Sequence, residues 1–219
     1  MKVVAFNGSP RKSWNTATVL RHALEGAASK GAETELIHLY DYNYKGCISC
    51  FACKVKGGKS YGRCAVNDEL RPLLDKVEEA GAILLGSPIY LGSVTGAMRS
   101  FIERLVFQYL LYDANYSKIC KRKIPTGLIY TMNVKQNYLG QLGYAQNFKS
   151  METTMQRTFG AAESIFVTDT YQFDDYSKYE TSAFNEEEKA KRRKEVFPED
   201  CRKAFEMGAG LAEQSGVWL

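Results

Sequence analysis

Histidine is scarce in this 219-residue chain: His22 and His38 are the only two. One falls within a helical pattern and the other in a strand pattern, which argues against a histidine-built metal site or a Cys–His nucleophile pair. Long apolar runs are missing too. The strongest, Ala80 to Leu85, is strand-length, far short of the roughly 18 residues of a membrane span. Charge of one sign is not in excess, since 29 Lys and Arg against 25 Asp and Glu leave +4. The pI near 8.6 lies below the roughly pI 9 footprint of a nucleic-acid domain. The chain has neither a G-x-x-x-x-G-K loop nor a G-x-G-x-x-G turn, which excludes a P-loop triphosphate site and a dinucleotide fingerprint. The start shows no apolar leader, so a cytoplasmic protein is expected. The short basic cluster of Lys118, Lys121, Arg122 and Lys123 reads as a solvated loop.

What is present is ordinary globular composition, 45% hydrophobic and 25% charged, arranged in alternating strand and helix patterns. Strands are expected at Lys2–Asn7, Glu33–Leu39, Ala82–Gly86, Pro125–Met132 and Ser164–Thr170. Helices are expected at about 15–30, 68–80, 94–109, 142–159 and 185–212, with Pro198 breaking or kinking the last. This order implies a parallel sheet covered by helices on both faces. One domain over 1–219 is expected, with a cysteine-rich insert at about 41–66 and a helical extension at about 180–219. Ligands of such sheets bind beyond the carboxyl ends of the strands, at the switch in strand order.

Two loops lie there. Asn7-Gly8-Ser9-Pro10-Arg11-Lys12-Ser13-Trp14-Asn15-Thr16 leads from the first strand into a helix. Its short hydroxyl and amide side chains, two cations and helix N-terminus suit a bound phosphate; a plain helix cap with solvated cations is the alternative. Gly86-Ser87-Pro88-Ile89-Tyr90-Leu91-Gly92 follows the central strand. Its backbone groups beside Tyr90 suit the edge and face of a flat heteroaromatic ring, or form a Gly/Pro turn with Tyr90 in the core.

Four of the six cysteines fall within 18 residues: Cys47-x2-Cys50-x2-Cys53, then Cys64. Three thiolates at that spacing are the bacterial ferredoxin pattern, and a fourth closes a 4Fe–4S cluster. Free or redox-cycling thiols and zinc stay open as alternatives. Cys120 and Cys201 read as structural. Glu103–Arg104 reads as a surface or inter-subunit ion pair, and the aromatic run from Tyr171 to Phe184 as an interface or a cover.

Together, Gly8-Ser9-Pro10-Arg11-Lys12 with Asn15-Thr16, Gly86-Ser87-Pro88-Ile89-Tyr90, and Gly96-Ala97-Met98-Arg99-Ser100-Phe101-Ile102-Glu103-Arg104 resemble the NAD(P)H-dependent FMN reductase family. The cysteine insert resembles that of its iron–sulfur flavoprotein branch, with a longer last gap. The resemblance covers about residues 1–135. It implies a flavodoxin-like three-layer α/β/α sandwich with a five-stranded parallel sheet of order 2-1-3-4-5. By position, Ser9, Arg11, Ser13, Asn15 and Thr16 would hold the FMN phosphate. Pro88, Ile89, Tyr90, Leu91 and Gly92 would line the isoalloxazine ring, with Thr131, Met132 and Asn133 on its other side. Trp14 departs from the family, whose members usually carry Gly or Ser there.

The expected function is an FMN-dependent oxidoreductase whose chemistry sits at FMN N5, with no catalytic side chain. NAD(P)H is the expected donor, ferredoxin the alternative, and a small molecule or protein the acceptor. A non-enzymatic flavodoxin-like electron carrier is the competing function, and a metal-binding regulatory module without FMN the third. No nucleic-acid or membrane partner is expected. A homodimer or homotetramer is.

Overall fold

The computed structural model describes residues 1–216. The strands are β1 (Lys2–Asn7), β2 (Glu33–His38), β3 (Ala82–Tyr90), β4 (Ser93–Val94), β5 (Thr126–Thr131) and β6 (Ala162–Val167). The helices are α1 (Asn15–Ser29), α2 (Arg71–Glu79), α3 (Gly96–Phe107), α4 (Tyr144–Phe159), α5 (Glu186–Glu195) and α6 (Phe197–Gly216).

Five strands run parallel in the order β2-β1-β3-β5-β6, with β4 paired to β3 off this path. This is the expected flavodoxin-like order, with a sixth short strand added. Strand alternation sorts the side chains into two cores. Val3, Ala5, Ala82, Leu84 and Ile129 pack against α1 and α6, while Val4, Phe6, Ile83, Leu85, Leu128 and Tyr130 pack with α2, α3 and α4. β3 is apolar on both faces, as a central parallel strand must be.

The α1–α6 layer is thin because glycine lets the helices touch. A Cβ on Gly208 would stand 1.7 Å from the Ala23 carbonyl oxygen, and one on Gly26 1.9 Å from that of Phe205.

Two expectations shift. β3 does not end at Gly86. It continues through Pro88, paired with Thr131 of β5, to Tyr90. Leu91 and Gly92, both with positive φ, then turn it back into β4, a tight two-residue hairpin. β6 begins and ends about two to three residues earlier than expected, because an apolar run does not mark its own start. The C-terminal helical span is broken in two, as Pro198 led us to expect. The chain breaks at Val196, and Pro198 sits in the first turn of α6, where its missing N–H costs nothing.

Candidate functional site

The two predicted loops meet at the carboxyl edge of β1, β3 and β5. Gly8 N–H donates to the Gly86 carbonyl at 2.7 Å. Thr95, which caps α3 by accepting from Met98 N–H, donates its hydroxyl to the Gly8 carbonyl at 2.7 Å. Ser87 Oγ accepts from Thr95 N–H at 3.1 Å. These bonds fix the phosphate loop and the hairpin as one edge.

In the phosphate loop, buried Asn7 accepts from Ser9 N–H at 3.0 Å and donates to His38 Nδ1 at 2.9 Å. Ser9 Oγ accepts from Arg11 N–H at 3.1 Å. α1 then starts after Trp14 with no side-chain cap. The N–H groups of its first turn have no carbonyl within the helix to bind, and its dipole favours an anion.

The side chains, however, are committed differently from the expectation. Arg11 donates to the Gln172 carbonyl at 2.7 Å and stacks on Trp14. Asn15 donates to the Tyr171 carbonyl at 2.9 Å and accepts from Arg193 at 2.7 Å. Thr16 shares a 2.7 Å bond with Thr131. The reason is the turn after β6. Asp169, in a left-handed conformation, sends Tyr171 and Gln172 across the loop, and their carbonyls attract the nearest donors. Trp14 joins them, its indole N–H 3.2 Å from the Tyr171 carbonyl. What remains for a phosphate is backbone N–H, the Ser9 and Ser13 hydroxyls and the field of Arg11 and Lys12. Lys12 is itself paired with Asp41. Of the aromatic run, Tyr171, Phe173, Tyr176 and Tyr179 pack on one another.

At the hairpin, Pro88 and Ile89 are half-buried, Tyr90 is exposed, and Leu91 is fully exposed beside Gly92. A planar ligand can lie against this edge. In the segment after β5 the side chains are engaged within the protein. Met132 is buried in the core and Asn133 accepts from Lys189 at 2.5 Å. Of the three, Thr131 faces the phosphate helix. Lys189 was not legible in sequence. It is buried in α5 and paired with Asp169 at 2.5 Å.

The largest described cavity, about 720 Å³, lies between the hairpin, α3 and α4 and reaches Cys47 and Ser49. It contains no phosphate-loop residue, so the anion site rests on the loop's donors and not on cavity shape.

The cysteine insert folds against α3. Cys47, Cys50, Cys53 and Cys64 line one small cavity of about 20 Å³ with Arg104, Phe107 and Gln108. Ser49 and Phe51, on either side of Cys50, are both left-handed. Arg104 is buried. It donates to both Asp68 oxygens at 2.5 and 2.9 Å, and its Nε donates to Cys64 Sγ at 3.3 Å. This corrects the surface reading of Arg104. Its neighbour Glu103 instead pairs with Arg99. Burial pushes the Cys53 thiol up. Lys54 closes the carboxyl end of α3 on the Phe107 and Leu110 carbonyls.

Four thiols on one cavity match the donor chemistry of an iron–sulfur cluster. Among the described residues, though, no three His, Cys, Asp or Glu side chains form a set drawn together for a metal ion. Cys50, Ile48 and Phe51 of this turn are exposed.

Residues 1–127 match the family described as NADPH-dependent FMN reductase. Over 104 residues the chain is 39% identical to an iron–sulfur flavoprotein of Methanocaldococcus jannaschii, covering 48% of this chain and 51% of the relative. Over 157 residues it is 30% identical to an iron–sulfur flavoprotein of Clostridioides difficile, covering 70% of this chain and 68% of the relative. The chain spans about half the length of the first curated relatives it matches. The solved NAD(P)H:quinone oxidoreductase from Methanothermobacter marburgensis superposes with a TM-score of 0.69 at 14% identity, covering 96% of each chain. At that identity the likeness shows the fold alone. No helix among the described residues is long and apolar enough to cross a membrane.

Proposed function

Because the chain belongs to the NADPH-dependent FMN reductase family, beside relatives named iron–sulfur flavoproteins, we propose that it is an FMN-dependent oxidoreductase. We place the FMN phosphate at the amino end of α1 and the ring along the β3–β4 hairpin. The observation that carries this reading is the bonding of Gly8 to Gly86 and Thr95, which sets an uncapped helix N-terminus beside an exposed hairpin at the switch in strand order. FMN, when bound, supplies hydride acceptance and conversion between two- and one-electron chemistry. The chain's own work is positional. Ser9, Ser13 and the α1 N–H groups bind the anion, Pro88 to Gly92 support the ring, and Tyr171–Gln172 shield the phosphate loop from water.

We further propose that Cys47, Cys50, Cys53 and Cys64 hold a 4Fe–4S cluster that passes single electrons. The shared cavity and the cationic Arg104 on Cys64 support it. NAD(P)H is the proposed donor, with ferredoxin as the alternative, and the acceptor is a small molecule or a protein. Self-association as a dimer or tetramer is part of the proposal, with the exposed Tyr90–Leu91 tip as its first candidate contact; sedimentation of the purified protein tests it.

The test is a UV–visible spectrum of protein purified without oxygen, with iron and acid-labile sulfide assayed on the same sample. Bound flavin with iron and sulfide near one cluster's worth is the expected result. Flavin without iron removes the cluster and leaves the oxidoreductase. Protein that takes up no FMN on titration overturns the whole reading, and flavin-loaded protein reduced by neither NAD(P)H nor ferredoxin overturns the donor assignment. Ser9→Asp combined with Ser13→Asp is expected to empty the flavin site through repulsion of the phosphate.

A further inference from the structure

Gln108 follows α3 directly and is 2% exposed. Its carbonyl oxygen accepts from Cys64 N–H at 2.9 Å. That bond fixes the amide's orientation, since the reverse would set two N–H groups against each other. The other end of the amide, Nε2, is buried with no hydrogen-bond partner among the described residues.

A buried amide donor left unmatched costs about 1–3 kcal/mol, and native proteins keep few of them. The surroundings name the kind of acceptor. Gln108 lines the cavity of the four cysteines, whose remaining walls are Arg104 and the side chains of Ile48, Phe51, Ala65, Val66 and Phe107. The guanidinium only donates, and the wall carbonyls of Val66 and Phe107 already accept from Arg104 and Lys54. Sulfur is the acceptor that this cavity collects. Arg104 already shows the pattern, with its Nε on Cys64 Sγ. A residue needed only to satisfy Cys64 N–H would require an oxygen and no buried NH2.

We propose that Gln108 donates an N–H···S hydrogen bond to the sulfur centre that the four cysteines hold, and with Arg104 raises its reduction potential. The proposal rests on the cluster reading above. A hydrogen bond to a sulfur strengthens as the centre gains negative charge, so it favours the reduced state.

The experiment uses the full chain, loaded with FMN and reconstituted anaerobically with iron and sulfide. Gln108→Glu keeps the acceptor for Cys64 N–H and loses the donor. Gln108→Leu loses both. Iron and sulfide content and the FMN potential are measured on each sample, and the cluster potential is followed by EPR during a redox titration. The expected result is unchanged cluster content and FMN potential, with both variants shifted toward negative potential by a factor of about ten in the reduced-to-oxidised ratio, ~59 mV for one electron. If loaded Gln108→Leu titrates as wild type does, this inference is wrong and the cluster reading survives. If wild type takes up neither iron nor sulfide, both fall.

Discussion

The hydroxyls of Thr16 and Thr131 lie 2.7 Å apart in a buried contact that ties the first turn of α1 to the end of β5. One loop proposed to hold a phosphate is thereby referenced to a strand on the far side of β3. Replacing either threonine by valine strands the other hydroxyl in a dry site and is expected to cost about 1–3 kcal/mol. Replacing both removes donor and acceptor together, so the double variant should be more stable than the sum of the single losses allows. Urea unfolding of the four proteins measures this coupling. Strict additivity would show that the two hydroxyls do not depend on each other.

His38 connects pH to the phosphate loop. Burial holds its pKa below the usual 6.5, against the pull of Asp41 and with help from Lys12 and Arg21. Neutral His38 accepts from Asn7, and Asn7 in turn accepts from Ser9 N–H. Protonation turns Nδ1 into a donor facing a donor. The unfolded chain takes up this proton first, so stability is lost as pH falls below about 6.5 and through the lower folded-state value. FMN affinity is expected to weaken over the same window. Fluorescence titration of FMN from pH 8 to 5 measures it, and His38→Gln should flatten the profile. An equally steep profile in that variant would place the sensitivity elsewhere.

Arg104 and Asp68 anchor the cysteine insert to α3. The guanidinium holds two carboxylate oxygens, the Lys45 and Val66 carbonyls and the Cys64 sulfur. Arg104→Met leaves these acceptors without their donor and is expected to cost about 3–5 kcal/mol. Asp68→Asn, which keeps an acceptor and stands nearer water, should cost less. Denaturant unfolding ranks the two, and the reverse order would mean that the pair does not carry the insert.

Two glycines of α6 should respond oppositely to alanine. At Gly208 the added methyl meets the Ala23 backbone, whereas at Gly210 it meets nothing within 4 Å. Helix propensity favours alanine at both by about 1 kcal/mol. At Gly208 overpacking against rigid backbone outweighs it, with an expected net loss of about 2 kcal/mol or more. At Gly210 a gain of about 0.5–1 kcal/mol is expected. Thermal unfolding of both variants tests the helix contact, and a stabilised Gly208→Ala would show that α1 and α6 are not so close.

Legibility in the sequence followed the range of the interaction. β1, with its apolar run and Asn-Gly stop, was readable at Lys2–Asn7 to the residue. The break before Pro198 was readable because proline's constraint is covalent. The Gly-Ser-Pro of β3 reads locally as a turn, and only pairing with β4 and β5 keeps it extended. Arg122 reads as part of a solvated basic cluster, yet it donates to the Glu78 and Ala80 carbonyls at the end of α2. No local pattern encodes a partner more than forty residues away.

The candidate site divides along the same line. The sequence by itself determined the parallel layers, the polar loop between β1 and α1 and the set of four thiols, because residue type and spacing are set without reference to the rest of the chain. Only the tertiary structure decided which donors are free. It gave Arg11 and Asn15 to the carbonyls of Tyr171 and Gln172, buried Lys189 with Asp169, and left Gln108 Nε2 among the cysteines. Hydrogen-bond commitment is settled by whichever acceptor the fold brings within about 3 Å, and that distance belongs to the packed molecule.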